Sequence, residues 1–256
     1  TLYVLSLKER SGERRLPWSS GEAHARNRAI HVGAWLPIMK NTFFSMIRFV
    51  SLFWIPVLLV RGFHYGMFTG ATPLIGTGEV GWSEDSITSI VGTAQLLAGI
   101  LGLTIGGWIG DRFGAKRSTI AVFLAYLLMS ATMWASAPYW QSPAVFTGFV
   151  YSWIALDTLL TVVALPISMR LCDPRVAATQ FTLYMATTNF GISIGAWVLG
   201  LSDRLGGLTT MFVLVFGLHL IGLILMLTVR FPRSMKFEAD VAAQLADGTG
   251  PPPMRD

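Results

Sequence analysis

An all-α membrane protein is the fold class this sequence predicts, and three observations carry that reading. Hydrophobic residues make up 53% of the 256 and charged ones only 13%, with a mean hydropathy of +0.57, whereas about a quarter of the residues in an ordinary soluble domain are charged. Six apolar segments each reach the roughly 20 residues that a helix needs to cross the hydrocarbon core. The Lys and Arg residues fall almost entirely on one side of those segments, as the positive-inside tendency requires.

The segments run from Val50 to Ile75, Ser86 to Ile109, Ser118 to Ala137, Pro143 to Leu171, Ala177 to Leu201 and Leu208 to Arg230, which makes residues 50–230 a six-helix domain. Ahead of it, residues 1–7 (Thr1-Leu2-Tyr3-Val4-Leu5-Ser6-Leu7) read as the end of a preceding apolar helix. Residues 8–49 read as a charged cytoplasmic loop in which Ile30 to Phe49, mixing aromatics with Lys40 and Arg48, forms an amphipathic helix at the membrane interface. Residues 231–256, with Gly248-Thr249-Gly250-Pro251-Pro252-Pro253 near the end, carry too little apolar content to pack and read as a disordered cytoplasmic tail.

With the amino-terminal stretch inside, that side collects all of the 19 Lys and Arg except Arg61, within a membrane segment, and Arg204, in an outer loop. Glu79, Glu84, Asp85 and Asp203 fall outside. Both ends of the chain are therefore expected in the cytoplasm of a cell whose inner membrane holds the domain. The pI near 9.7 reflects loops spread along one membrane face, so no nucleic-acid partner is implied. The single cysteine, Cys172, excludes an internal disulfide and a Cys-based metal cluster and reads as a small apolar residue at a helix end.

The joint between the second and third segments, Gly107-Trp108-Ile109-Gly110-Asp111-Arg112-Phe113-Gly114-Ala115-Lys116-Arg117, combines a turn glycine with charges that stay in water. Asp111 at a helix carboxy-terminal end is unfavourable against the macrodipole unless cations lie nearby, and Arg112, Lys116 and Arg117 are such cations. Gly107, Asp111, Arg112, Gly114, Lys116 and Arg117 are accordingly read as a conformational latch. The stretch Gly200-Leu201-Ser202-Asp203-Arg204-Leu205-Gly206 echoes it at the end of the fifth segment, the arrangement that an inverted repeat of two three-helix units would produce.

Gly107-x-x-x-Asp111-Arg112-x-Gly114-x-Lys116-Arg117 resembles the cytoplasmic loop signature of the major facilitator superfamily, with Ala115 where the family often has Arg. Cys172-Asp173-Pro174-Arg175-Val176-Ala177-Ala178-Thr179-Gln180-Phe181-Thr182-Leu183, with Ala164-Leu165-Pro166-Ile167-Ser168-Met169 before it and Asn189-Phe190-Gly191 after it, is similar to the stretch between helices ten and eleven of the AmpG muropeptide permease and acetyl-CoA-transporter group. Lys8-Glu9-Arg10-Ser11-Gly12-Glu13-Arg14-Arg15-Leu16-Pro17-Trp18 is similar to the loop after helix six of that group. The resemblance implies that the six helices are seven to twelve, one half of a twelve-helix carrier whose amino-terminal half would be its partner. It also implies secondary transport of anhydro-muropeptides with protons, or of an acyl-CoA-like, sugar or drug cargo. Where the family commonly carries a basic residue followed by Leu-Gly-Asp on helix seven, this chain has Arg61 but His64 in place of the acid, and Asp157 stands where a neutral residue is expected.

Ionisable side chains at mid-membrane cost several kcal/mol, so they pair, face water or act in transport. Arg61 and His64 on the first segment, Asp157 on the fourth and His219 on the sixth lie near segment centres. The resemblance implies that the first and fourth helices line the cavity, so Arg61 and Asp157 meet either as a proton-coupling switch or as a permanent ion pair. His64, three residues after Arg61, shares its face and suits a proton relay or a backbone hydrogen bond. His219 is expected to be structural. Tyr65, Trp153, Tyr184 and Asn189 are candidates to line the cavity, although aromatic stripes are commonly packing. Gly102, Gly106 and Gly110, and Gly191 and Gly195, stand at spacings that let helices approach closely, and Pro56, Pro73 and Pro166 are expected to bend theirs. There is no Walker A loop, HExxH or paired carboxylate, so neither an ATPase nor a membrane enzyme is expected, and no cofactor or metal is implied. A non-transporting membrane sensor is the remaining alternative.

Overall fold

The computed structural model describes residues 35–173, 176–229 and 231, and the described residues are helical almost throughout. Residues 1–44 and 45–256 separate into two compact units. Eight α-helices are described: α1 (Trp35–Met46), α2 (Phe49–Leu74), α3 (Glu84–Leu101), α4 (Gly107–Phe113), α5 (Ala115–Ala135), α6 (Pro143–Leu171), α7 (Ala177–Ser202) and α8 (Gly207–Thr228). Among the described residues, five continuous stretches are long and apolar enough to cross a membrane: Phe49–Glu79, Glu84–Phe113, Ala115–Ala135, Pro143–Leu171 and Gly207–Thr228. The sixth expected span, α7, has 26 residues, but Gln180, Thr182, Thr187, Thr188, Asn189 and Ser193 hold its hydropathy below that of the other five.

Several boundaries move from their expected positions, for one physical reason. Charges end a span by staying in water, but they do not end a helix. The second span therefore begins at Glu84, where Ser83 caps it by accepting from the Ser86 amide and Glu84 and Asp85 complement the positive end of the dipole. It runs on through Asp111 and Arg112 to Phe113. The third begins at Ala115, so Gly114 alone joins the two helices, with φ +81° and ψ 144°, a conformation that residues with a Cβ rarely adopt. The amphipathic helix expected over 30–49 is shorter: α1 ends at Met46 and α2 starts separately at Phe49. Residues 1–34 and 232–256, with the expected preceding helix, loop and tail, lie outside the described residues.

Two π-helical turns occur in the first two spans: one ends the first, at Ile75–Glu79, and one interrupts the second, at Gly102–Gly106. In the second, Gly102 and Gly106 face Thr158, Leu159 and Val162 of α6 at van der Waals range or closer, whereas Gly110 meets nothing within 4 Å. The expected three-glycine row thus works through its first two members. Many hydroxyls along the apolar helices bond back to carbonyls one turn earlier, as Thr72 to Phe68 at 2.7 Å and Thr132 to Leu128 at 2.8 Å do.

The helices pack around α2, which lies against α7, α8 and α6, while α5 packs on α8 and α6, and α3 on α6. The α2–α7 contact is backbone to backbone. A Cβ on Gly62 would collide with the Thr188 carbonyl, one on Gly66 with the Ile192 carbonyl, one on Gly191 with the Leu59 carbonyl and one on Gly195 with the Phe63 carbonyl. Four glycines from two helices interdigitate, which brings the chains closer than any other residue allows. An aromatic layer of Phe68, Phe149, Phe212 and Trp140 fills the centre, with Phe68–Phe149 and Phe149–Phe212 ring centroids 5.5 Å apart at near-perpendicular angles. Gly62→Ala is expected to cost about 1–3 kcal/mol by forcing the helices apart, whereas Gly99→Ala, with nothing within 4 Å, is expected to be neutral or stabilising. Thermal unfolding in detergent measures both, and equal midpoints for the two variants would contradict the close-contact account.

Candidate functional site

Near the centres of α2, α6 and α8 the chain gathers its ionisable residues. Asp157 Oδ1 lies 4.0 Å from Arg61 Nε and 3.5 Å from His64 Nε2. The Arg61 guanidinium is anchored by donating from Nη2 to Thr161 Oγ1 at 2.6 Å, and Thr161 donates to the Asp157 carbonyl at 2.7 Å. The spacing explains the assembly: Thr161 stands one turn after Asp157, and His64 just under one turn after Arg61, so each helix presents two polar groups on one face.

Arg61 and Asp157 are partly exposed, with side chains 20% and 14% accessible, while His64 is fully buried. The ion pair therefore sits at the open edge of the cluster and the imidazole behind it. Asp157 Oδ1, Arg61 Nε and both His64 ring nitrogens make no hydrogen bond among the described residues. The carboxylate is thus close to two groups, and its Oδ1 is hydrogen-bonded to neither.

Behind His64, Tyr126 and His219 complete an aromatic cluster. The His64 ring centroid is 4.5 Å from Tyr126 and 4.9 Å from His219, and Tyr126 stacks on His219 at 4.4 Å with only 8° between the planes. His219 is fully buried. Its expected structural part rests on the resemblance, which implies a peripheral position for the last helix, and nothing in one dimension brings residue 219 to residue 64. The signal for Thr161 was present in its spacing from Asp157.

The expected cavity-lining residues separate. Tyr65 and Trp153 stand edge to face with centroids 6.0 Å apart, beside Asp157 on the same two helices. Asn189 is exposed on α7. Tyr184 is fully buried in a different place, a polar network at the end where α2 starts and α6 finishes. There Arg48 pairs with Asp173 at 3.1 Å, Asp173 donates its amide to Gln180 Oε1 at 2.8 Å, Gln180 Nε2 donates to Tyr184 at 2.9 Å, and Tyr184 donates to Ser51 at 2.9 Å. Trp54 also donates to Ser168 there, at 3.0 Å. Cys172, beside this network, donates to the Ser168 carbonyl at 3.2 Å, and burial pushes its thiol up from the ordinary value, which makes it a poor nucleophile.

At the Gly114 joint, Lys116 Nζ donates to the carbonyl of Val229, the carboxy-terminal cap residue of α8, at 2.5 Å, placing a cation at the negative end of that helix. Ser118 donates to the Ile109 carbonyl at 3.2 Å. Asp111, Arg112 and Arg117 are exposed and Gly107 meets no neighbour. Among the described residues Asp111 has no ion-pair partner.

A family model described as Major Facilitator Superfamily matches residues 57–248. No curated protein matches the chain, and no solved structure does.

The terminal polar network generates a direct test. Tyr184→Phe removes an acceptor for Gln180 and leaves Ser51 without its donor, both in buried surroundings, so a loss of about 1 kcal/mol is expected. Chemical or thermal unfolding in detergent reads this. An unchanged midpoint would mean that the network adds nothing to helix association.

Proposed function

The chain belongs to the major facilitator superfamily, a multi-pass membrane transporter family, and from that premise we propose that it is a proton-coupled importer built on Arg61, His64 and Asp157. The observation that carries the proposal is the placement of one carboxylate between a permanent cation and an imidazole, half-way along two apolar helices. While Asp157 is charged it neutralises Arg61. Once protonated it releases Arg61, whose guanidinium then accepts an anionic group of the cargo, so that proton and solute occupy the site together. Tyr65 and Trp153 offer faces on which a sugar ring stacks.

The similarity of residues 164–191 to the muropeptide permease and acetyl-CoA-transporter group favours anhydro-muropeptides as cargo, since they join sugar rings, peptide amides and carboxylates in one solute. It also favours reading α7 as a sixth span and the domain as the carboxy-terminal half of a twelve-helix carrier. The glycine contacts along α2 support this, because they hold α7 beside a spanning helix over two turns. With the positive loops inside, the Gly114 joint and both ends face the cytoplasm of an inner membrane. There the Lys116 bond to the end of α8 latches the joint between conformations.

The test is uptake of labelled anhydro-muropeptide by cells that lack a permease of their own and express the complete carrier. Saturable uptake, collapsed by a protonophore and reduced about tenfold or more in Asp157→Asn, is expected, coupling free energies between sites being typically about 1–3 kcal/mol. Saturable uptake that ignores both the protonophore and Asp157→Asn would overturn the proton-coupled mechanism. No uptake by protein present in the membrane would overturn the cargo assignment and direct the assay to acyl-CoA-like solutes.

A further inference from the structure

His64 and His219 come from different helices, are both fully buried, and none of their four ring nitrogens makes a hydrogen bond of good geometry among the described residues. Each ring faces one backbone carbonyl one turn back on its own helix, Val60 for His64 and Val215 for His219. Polar ring nitrogens without well-aligned partners inside an apolar bundle are costly, and a pair kept only for packing would be better served by phenylalanine.

We propose that His64 and His219 form a buried pair that takes up one proton, shares it, and holds it behind the Arg61–Asp157 ion pair. Geometry limits the uptake to one. The ring centroids are 4.9 Å apart, and two imidazolium charges at that separation in fully buried surroundings repel strongly. A single charge is compensated: Asp157 lies 3.5 Å from His64, and Tyr126 presents its ring to both imidazoles, at 4.5 and 4.4 Å, where a cation over an aromatic face is favoured.

The groups facing the pair are few. Arg61 comes from α2 itself, Asp157 from α6, and Tyr126 from α5, with Phe123 of α5 closing the His219 side at 5.9 Å. From α7, the other helix packed on α2, the ionisable residue is Tyr184, which turns away to Ser51. The proton enters from the exposed edge. Protonated Asp157 passes it from Oδ1 to His64 Nε2 and becomes a carboxylate again. His64 then releases the proton on Nδ1 to an unprotonated nitrogen of His219 as the rings turn, and returns to neutrality in its other tautomer.

The pair rests on the proton-coupled reading only for its use in transport, so the test is made without cargo. The chain, labelled with ¹⁵N-histidine and held in detergent micelles, contains His24, His31, His64 and His219; pH titration of the four imidazoles by NMR reads their protonation separately. The expected result is that His64 and His219 titrate together, with a summed uptake of one proton. His219→Phe keeps the ring stacked on Tyr126 and removes the accepting nitrogens. In that variant the His64 midpoint is expected to move to lower pH by about one unit, a tenfold loss of proton affinity, and the acid limb of proton-driven uptake should move with it.

Independent titration of the two rings, uptake of two protons, uptake of none, or an unmoved His64 midpoint in His219→Phe would each overturn the pair. If His219→Phe does not give monodisperse protein, His64→Gln, read from the His219 signal, makes the same comparison. Protonophore-insensitive uptake would overturn the coupling mechanism and leave a positive titration standing.

Discussion

Asp157 occupies the middle of a 29-residue apolar helix, with only 14% of its side chain accessible, and the bundle is arranged around that difficulty. A carboxylate in hydrocarbon is tolerable only beside a cation, so α2 must bring Arg61 to it and must stay at that distance. The cation in turn carries more donors than one carboxylate accepts, and Thr161 takes one of them. Each polar residue in the cluster is there because the previous one would otherwise be buried without compensation. The compensation is incomplete, since Asp157 Oδ1 and Arg61 Nε remain without hydrogen bonds.

What fixes α2 is its contact with α7. Interlocked glycines remove the side-chain layer that normally separates helices, so α2 and α7 pack backbone to backbone. The polar network of Arg48, Asp173, Gln180, Tyr184 and Ser51 ties the ends of the same helices to the end of α6. By contrast α3 exposes Leu96, Leu97, Ile100 and Leu101, and its π-turn at Gly102–Gly106 breaks the regular ladder where it meets α6. The closest packing is therefore on the side that holds Arg61 and His64, while exposed apolar residues and a π-turn mark the side that leads from α3 to the Gly114 joint.

Much of this was legible in one dimension because membrane helices announce themselves by length and hydropathy. Five of the six expected segments, and Gly114 as the turn residue, follow from local residue types, although the joint is shorter than the charges around it suggest. Arg61, His64 and Asp157 stood out because a charge is rare in such segments. Other features depend on which helix lies beside which. The stacking of His219 on Tyr126 and its approach to His64 are set by how α8 and α5 pack, and a residue near the centre of a helix expected to be peripheral gives no sign of them. The glycines at 62 and 66 were overlooked for the same reason: a small residue matters only when a partner backbone is known to face it. Tyr184 misled in the other direction, since an aromatic residue inside a helix reads equally as cavity wall or as buried donor, and only its bonds to Ser51 and Gln180 decide. Helix ends moved wherever charged residues continued a helix past the hydrocarbon, as at Asp111 and Arg112.

The central claim is that Arg61 and Asp157 exist for each other, and a double-mutant cycle in detergent measures that directly. Arg61→Gln, Asp157→Asn and the combined variant are compared with the unaltered protein by unfolding free energy. If each charge compensates the other, either single change leaves an unpaired charge and destabilises strongly, while the double variant recovers most of the loss, giving a coupling above about 1 kcal/mol. Simple addition of the two single effects would contradict the account and reduce the 4.0 Å approach to proximity without interaction.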